Sequence, residues 1–328
     1  MEIRPHKLAV TALGALLVAS TAWGQRQPLQ GAPAAPSPPA VTSLPLSPEL
    51  QSSLQASLKA RDYPGAEKLL VTEIEKKPES PELLKFLASI FFLDGRYLNA
   101  AVALKKAEKF APLGNPSRFT LALSYIILNH RDWARPELEA LAKAEPRNAL
   151  YPYWLGRLDY DAMQFTSAVT NLRKALELDP AYMKTYDNLG LCYEALGQYD
   201  DAIQTYEDAI RLNREKPQPS PWPPVNLGTL LIKLGKMEMA EAALTESLQY
   251  DPRFPQGRYE LGLLREKQKR DDEAIVELEQ AAALNPAYAE PHYILGRIYQ
   301  RKDEKLKAGT AFETFHRLKR DNPKTRPQ

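Results

Sequence analysis

The sequence predicts an all-α fold, a solenoid of about eight helix-turn-helix units spanning residues 47–322. Three observations predict it. Prolines stand 34 residues apart at Pro78, Pro112, Pro146 and Pro180, and again at Pro252 and Pro286. Cut on that period, with four extra residues after the fifth unit, the chain falls into blocks 47–80, 81–114, 115–148, 149–182, 183–216, 221–254, 255–288 and 289–322. The twentieth residue of every block is then alanine: Ala66, Ala100, Ala134, Ala168, Ala202, Ala240, Ala274 and Ala308. From the second block on, the seventh and eighth residues pair leucine with a small residue, from Leu87-Ala88 through Leu189-Gly190 to Leu295-Gly296.

The chain begins with Arg4 and Lys7, an apolar run from Leu8 to Ser20, and small residues at Ala22 and Gly24 before Gln25. This three-part arrangement predicts a cleaved export signal over residues 1–24. The apolar run is short for a permanent membrane helix, which needs roughly 20 residues, so no stable insertion is expected after cleavage. No cysteine near the junction offers a lipid acceptor. Residues 25–46 carry Pro28, Pro33, Pro36, Pro38, Pro39 and Pro45 among Ala, Ser and Gln. Too few large apolar side chains offset ordering entropy there, and a semi-extended, disordered tether is predicted.

Within each block, apolar residues fall at positions 4, 7, 8 and 11, then at 20, 24 and 27. Steps of three and four make two amphipathic helices rather than strands. Turn segments such as Asp94-Gly95-Arg96 and Leu196-Gly197-Gln198 separate them, and the proline near the block's end stops the second helix. Between blocks five and six, Pro217, Pro219, Pro221, Pro223 and Pro224 lengthen the link. Because Leu227-Gly228 resumes the pattern at once, a change of pitch is expected there and not a domain break. Residues 323–328 form a basic tail with Lys324 and Arg326, following Arg317, Lys319 and Arg320.

These columns resemble the tetratricopeptide repeat, a 34-residue helix-turn-helix unit. Block five carries the resemblance most fully, with Tyr186, Leu189, Gly190, Tyr193, Ala202, Tyr206 and Ala209 in seven signature columns. Blocks one and eight depart most, with Ser53-Leu54 in place of Leu-Gly, and with Gly309 and Phe315 inside the last helix. End units without an outer neighbour are expected to be atypical. The resemblance implies a right-handed superhelix with first helices lining its inner face.

It also implies that ligand contacts come from positions 2, 5, 9 and 12 of each first helix. On this sequence those positions include Phe92, Phe119, Tyr153, Arg157, Tyr160, Trp222, Tyr259, Tyr293 and Arg297. Rigid aromatics with polar tips supply contact area at low entropy cost, so Phe119, Tyr153, Tyr160, Trp222, Tyr259 and Tyr293 are the expected anchors. Those at positions 2 and 5 are expected to point outward, whereas Leu123, Ile126, Leu191, Ile232 and Leu263 read as packing residues. Relatives that track a peptide with asparagines at position 6 have two counterparts here, Asn188 and Asn226, which could equally make local bonds. The carboxylate clamp of chaperone-tail binders is absent. Lys85 fits its first position, but Ser89, Thr120, Leu150 and Trp154 do not fit the rest.

Composition narrows the function further. Forty-three basic against 41 acidic residues leave a net charge of +2, which gives no reason to expect a nucleic-acid partner. One cysteine, Cys192, and four scattered histidines make no metal-ligand spacing and no disulfide framework. No nucleophile elbow or phosphate loop is present, so neither a catalytic site nor a cofactor is expected. The expected function is a non-enzymatic scaffold holding a protein or peptide in its concave groove, exported to the periplasm or beyond and serving envelope assembly or secretion. A glycan-binding groove in polysaccharide export, or an accessory subunit of a separately encoded enzyme, are the alternatives.

Overall fold

A computed structural model describes residues 40–321. The expected signal, the first part of the tether and the basic tail lie outside the described residues. Among those described there are sixteen α-helices, one 3-10 turn and no strand. They pair as hairpins, one per block. The first four are α1 (Pro48–Lys59) with α2 (Tyr63–Lys76), α3 (Pro81–Leu93) with α4 (Tyr97–Glu108), α5 (Asn115–Ile127) with α6 (Arg131–Ala144), and α7 (Leu150–Asp161) with α8 (Phe165–Leu178). The last four are α9 (Met183–Ala195) with α10 (Tyr199–Arg214), α11 (Trp222–Lys233) with α12 (Met237–Tyr250), α13 (Pro255–Lys267) with α14 (Asp271–Leu284), and α15 (Glu290–Arg301) with α16 (Lys305–Asp321).

The repeating columns set the hairpin geometry. All eight alanines at position 20 are buried. Gly190 shows why position 8 stays small: a Cβ there would sit 2.3 Å from the Tyr206 ring, a distance no packed side chain tolerates. Leu172, Leu244, Leu278 and Phe312 press in the same way on Gly156, Gly228, Gly262 and Gly296. Each turn between paired helices passes through the left-handed backbone region at position 15. Gly95, Gly197 and Gly235 supply it in three units, and Arg61, Asn129, Met163, Lys269 and Asp303 in the other five. The spaced prolines all fall in the links between hairpins, where Asp179, Asp251 and Asn285 accept backbone bonds from Ala181, Arg253 and Ala287.

Among the described residues, the backbones of successive first helices approach one another from α7 through α15, as do those of α3 and α5, whereas second helices stay farther apart and reach one another through long side chains, as where Arg214 of α10 pairs with Glu246 of α12 at 2.7 Å. The stack therefore curves toward the first helices, and their exposed faces form its concave side. Packing continues across the proline-rich link, where α11 contacts both α9 and α10. Asn213 pins that link by bonding Ser220 through both amide atoms, each at 2.8 Å. One apolar core runs from Leu44 to Leu264, and a second, smaller cluster joins Ala274 to Ala311 in the last two units.

The described end of the expected tether is not extended. Val41–Ser43 forms the 3-10 turn, Leu44 is buried, and Gln51 Nε2 donates to the carbonyls of Leu44 at 3.0 Å and Leu46 at 3.3 Å. Leu44 finds an apolar surface on the first hairpin, which outweighs the ordering cost of the short stretch beside it.

Candidate functional site

The concave face is deeper and more polar than the aromatic count alone suggests. Phe92, Phe119, Tyr153 and Asn188 are buried; Arg157, Tyr160, Trp222, Asn226 and Tyr259 are half-buried; Tyr293 and Arg297 are exposed. The expectation that aromatics at positions 2 and 5 point outward is thus corrected at Phe119 and Tyr153. Both are covered by an aromatic from the neighbouring unit or link: Tyr151 lies edge-on to Phe119 at 5.6 Å, and Tyr182 is tilted over Tyr153 at 4.8 Å. Phe92 turns inward against Tyr97 at 5.2 Å. The same device half-covers two more anchors, with Phe254 against Trp222 at 4.8 Å and Tyr288 against Tyr259 at 5.2 Å. Tyr160 rests on Phe165, and Tyr293 on Phe312 and Phe315, without being enclosed. Of the residues read as packing, Leu123 and Ile232 are buried, while Ile126, Leu191 and Leu263 are half-buried.

Both asparagines are engaged within the chain. Asn188 Nδ2 donates to Lys184 O at 2.6 Å, and its Oδ1 accepts from Arg157 Nη1 at 2.8 Å. Asn226 Nδ2 donates to Asp187 Oδ1 at 3.0 Å. Arg297 and Arg301 reach Glu266 at 3.4 and 3.2 Å, joining the last two units. Cys192 is a free, buried thiol, pushed up to about 12 by burial and held inert as a small core residue.

A feature beyond the aromatic anchors emerges from these helices. Among the described residues, the buried side-chain polar atoms without a hydrogen-bond partner are Trp154 Nε1, Arg157 Nε, Thr185 Oγ1 and Glu260 Oε2. They belong to α7, α9 and α13, all first helices. Native proteins rarely leave such atoms unpaired, and where they do a functional reason is the first to seek. Glu260 shares position 6 with Asn188 and Asn226, so its signal in the sequence was a polar residue continuing that column. The covering aromatics Tyr182, Phe254 and Tyr288 all fall at position 34, a column that the reading by first-helix positions passed over. The described residues include no cluster of three or more His, Cys, Asp or Glu placed to hold a metal, and no helix long and apolar enough to cross a membrane.

Tetratricopeptide-repeat sequence profiles match residues 55–115, 148–215 and 225–290, which together span more than half of the chain and coincide with the hairpins just described. The chain belongs to the tetratricopeptide repeat family. Among solved structures, yeast Tom70 is similar over 84% of this chain and 61% of its own, at 19% identity and a TM-score of 0.62. A tetratricopeptide repeat protein from Parabacteroides merdae matches 80% of this chain and 98% of its own, at 16% identity and a TM-score of 0.60. The Cut9-Hcn1 hetero-tetramer of APC/C matches over 76% of this chain and 48% of its own, at 18% identity and a TM-score of 0.56. At these identities the likeness is one of fold. No curated protein sequence matches significantly. As a tetratricopeptide-repeat protein, the chain has the architecture of an interaction scaffold.

Proposed function

We propose that this tetratricopeptide-repeat chain is a non-enzymatic scaffold that binds a polypeptide segment along its concave face. The observation that carries the reading is the row of Tyr160, Trp222, Tyr259 and Tyr293, half-open or exposed on the first helices α7, α11, α13 and α15, with partnerless buried polar atoms on α7, α9 and α13. Aromatic surface gives a ligand contact area at low entropy cost, and unpaired donors and acceptors give it register. The signal-like residues 1–24 support export, and the scaffold architecture supports a role in envelope assembly or secretion.

Selection of a displayed random-peptide library on the full chain tests the reading. Peptides so selected are expected to lose at least about tenfold in affinity for Trp222→Ala and Tyr293→Ala, and to bind Leu98→Ala, on the opposite helix layer, as they bind the parent. Selected peptides that ignore both groove substitutions and lose affinity for the Leu98 variant would place the site elsewhere.

A further inference from the structure

Carboxylates on the concave helices fall into two kinds. Glu266 is buried and neutralised by Arg297 and Arg301. Asp187, Glu194 and Glu260 are different: among the described residues none of them has an ion-pair partner, and Lys216 and Lys233 act on Asp187 and Glu194 only from beyond ion-pairing distance. Their hydrogen-bond donors are neutral. Asn226 Nδ2 serves Asp187, the Tyr206 hydroxyl serves Glu194 at 2.8 Å, and Gln256 Nε2 serves Glu260 Oε1 at 2.8 Å. Gln256 is itself oriented by the Tyr288 hydroxyl at 2.7 Å, so a relay from the next link fixes the Glu260 carboxyl in place. Such donors aim a carboxylate without neutralising it.

Glu260 is the decisive residue. It is 4% exposed, yet Oε2 has no partner. Thr229 of α11 stands close enough to the carboxyl to lower its pKa and is open to the trough, and in this structure its hydroxyl donates to Val225 O at 2.9 Å. Asn226, which holds Asp187, lies three residues before Thr229 on the same face of α11. The two carboxyls therefore flank one groove helix, from α9 on one side and α13 on the other. Burial raises both to about 7, against smaller lowering by their neutral donors and, at Asp187, by the more distant Lys216. Tyr259 lies next to Glu260, and Trp222 lies one turn before Asn226 on α11, each half-buried ring offering surface on which an aliphatic stem ending in a cation packs well.

We propose that the polypeptide held in the trough is basic, and that its lysine or arginine side chains are received at Glu260 and Asp187 on the two sides of α11. This rests on the groove-binding reading above and specifies its partner. A cation in the trough would complete the Glu260 carboxyl and bring a close countercharge, which Glu260 lacks and which Asp187 has only at longer range from Lys216.

The test measures fluorescence anisotropy of acetylated, amidated peptides on one leucine- and tyrosine-containing backbone, with lysine, norleucine or glutamate at the same positions. The full chain is expected to bind the lysine set at least about tenfold tighter than the norleucine set, and the glutamate set most weakly. Glu260→Gln and Asp187→Asn are each expected to cut the lysine preference several-fold and to leave norleucine binding unchanged, with melting temperatures no lower than the parent's. Equal binding of lysine and norleucine sets, lost on Trp222→Ala, overturns the basic partner and leaves the groove standing. A lysine preference that survives the double variant places the cation elsewhere and also overturns the proposal. Failure of every set to bind overturns it together with the groove reading.

Discussion

At Glu260 the protein keeps a carboxyl almost wholly out of water with one oxygen bonded and the other not. Burial raises it from 4.5 to about 7, against smaller lowering by Gln256 and Thr229. Between those values the folded chain holds a proton that the unfolded chain has released. Stability therefore falls as pH rises through that window, and the loss is complete above it. Glu260→Gln retains the shape and the donor of the protonated acid but cannot ionise. It is expected to stabilise the fold by about 1 to 3 kcal/mol at about pH 8 and hardly at all at about pH 4. Urea unfolding at the two pH values measures this, and an equal effect at both would exclude a buried, ionising carboxyl. Glycine at position 190 was legible in the sequence from the Leu-Gly column. The charge state of Glu260 was not, because it depends on Gln256 and Tyr288, from the two ends of its own unit, and on Thr229 from the unit before.

At the scale of the helical hairpin, the turn at position 15 has the left-handed conformation in every described unit, but only three units place glycine there. A side chain in that region costs roughly 1 kcal/mol, since its Cβ crowds the following carbonyl. Met163, with φ 59° and an exposed side chain, has no packing to offset the strain. Met163→Gly is expected to raise stability by about 0.5 to 1 kcal/mol, read as a higher urea midpoint with an unchanged slope. A lower midpoint would show that the side chain contributes more than its strain removes. Hairpins were the most legible part of the chain, because the spacing of apolar residues and the turn glycines act within one unit. The links were less so: Tyr182, Phe254 and Tyr288 lie outside the first-helix positions, and only the structure shows them folding back over the groove residues of their own units.

Across the whole molecule, each unit leans on its neighbours, so stability is shared between them and is lowest where a neighbour is missing. The last two units have their own smaller core, and Leu306 on the outermost helix is 90% exposed. Ion pairs tie the last unit back to its neighbour, with Arg301 to Asp271 at 2.6 Å and Lys302 to Asp272 at 2.5 Å, and Lys319 to Glu290 at 2.5 Å joins its own two helices. Surface pairs of this kind contribute little each and are screened by salt. Amide hydrogen exchange is therefore expected to show α15 and α16 opening first, with protection at least about tenfold below that of α7 through α12, and the gap widening in high salt. Uniform protection along the stack would show instead that the eight units unfold as one.

The period, the two helices per unit, the small residues between them and the curved stack were all determined by the sequence, because each follows from spacing within about 34 residues and from the inability of one hairpin to bury its own apolar stripe. Only the tertiary structure decided which groove residues stay open. Phe119 and Tyr153 occupy the same column as Tyr259 and Tyr293, yet two are enclosed, one is half-covered and one is exposed. The difference lies in what the neighbouring unit, or the unit's own second helix and closing link, brings over each ring. Exposure and charge in the trough are set by contacts that cross between units, as Tyr151 on Phe119 and Asn226 on Asp187, or that fold a unit's last residue back over its first helix, as Tyr288 on Tyr259, and periodicity carries neither.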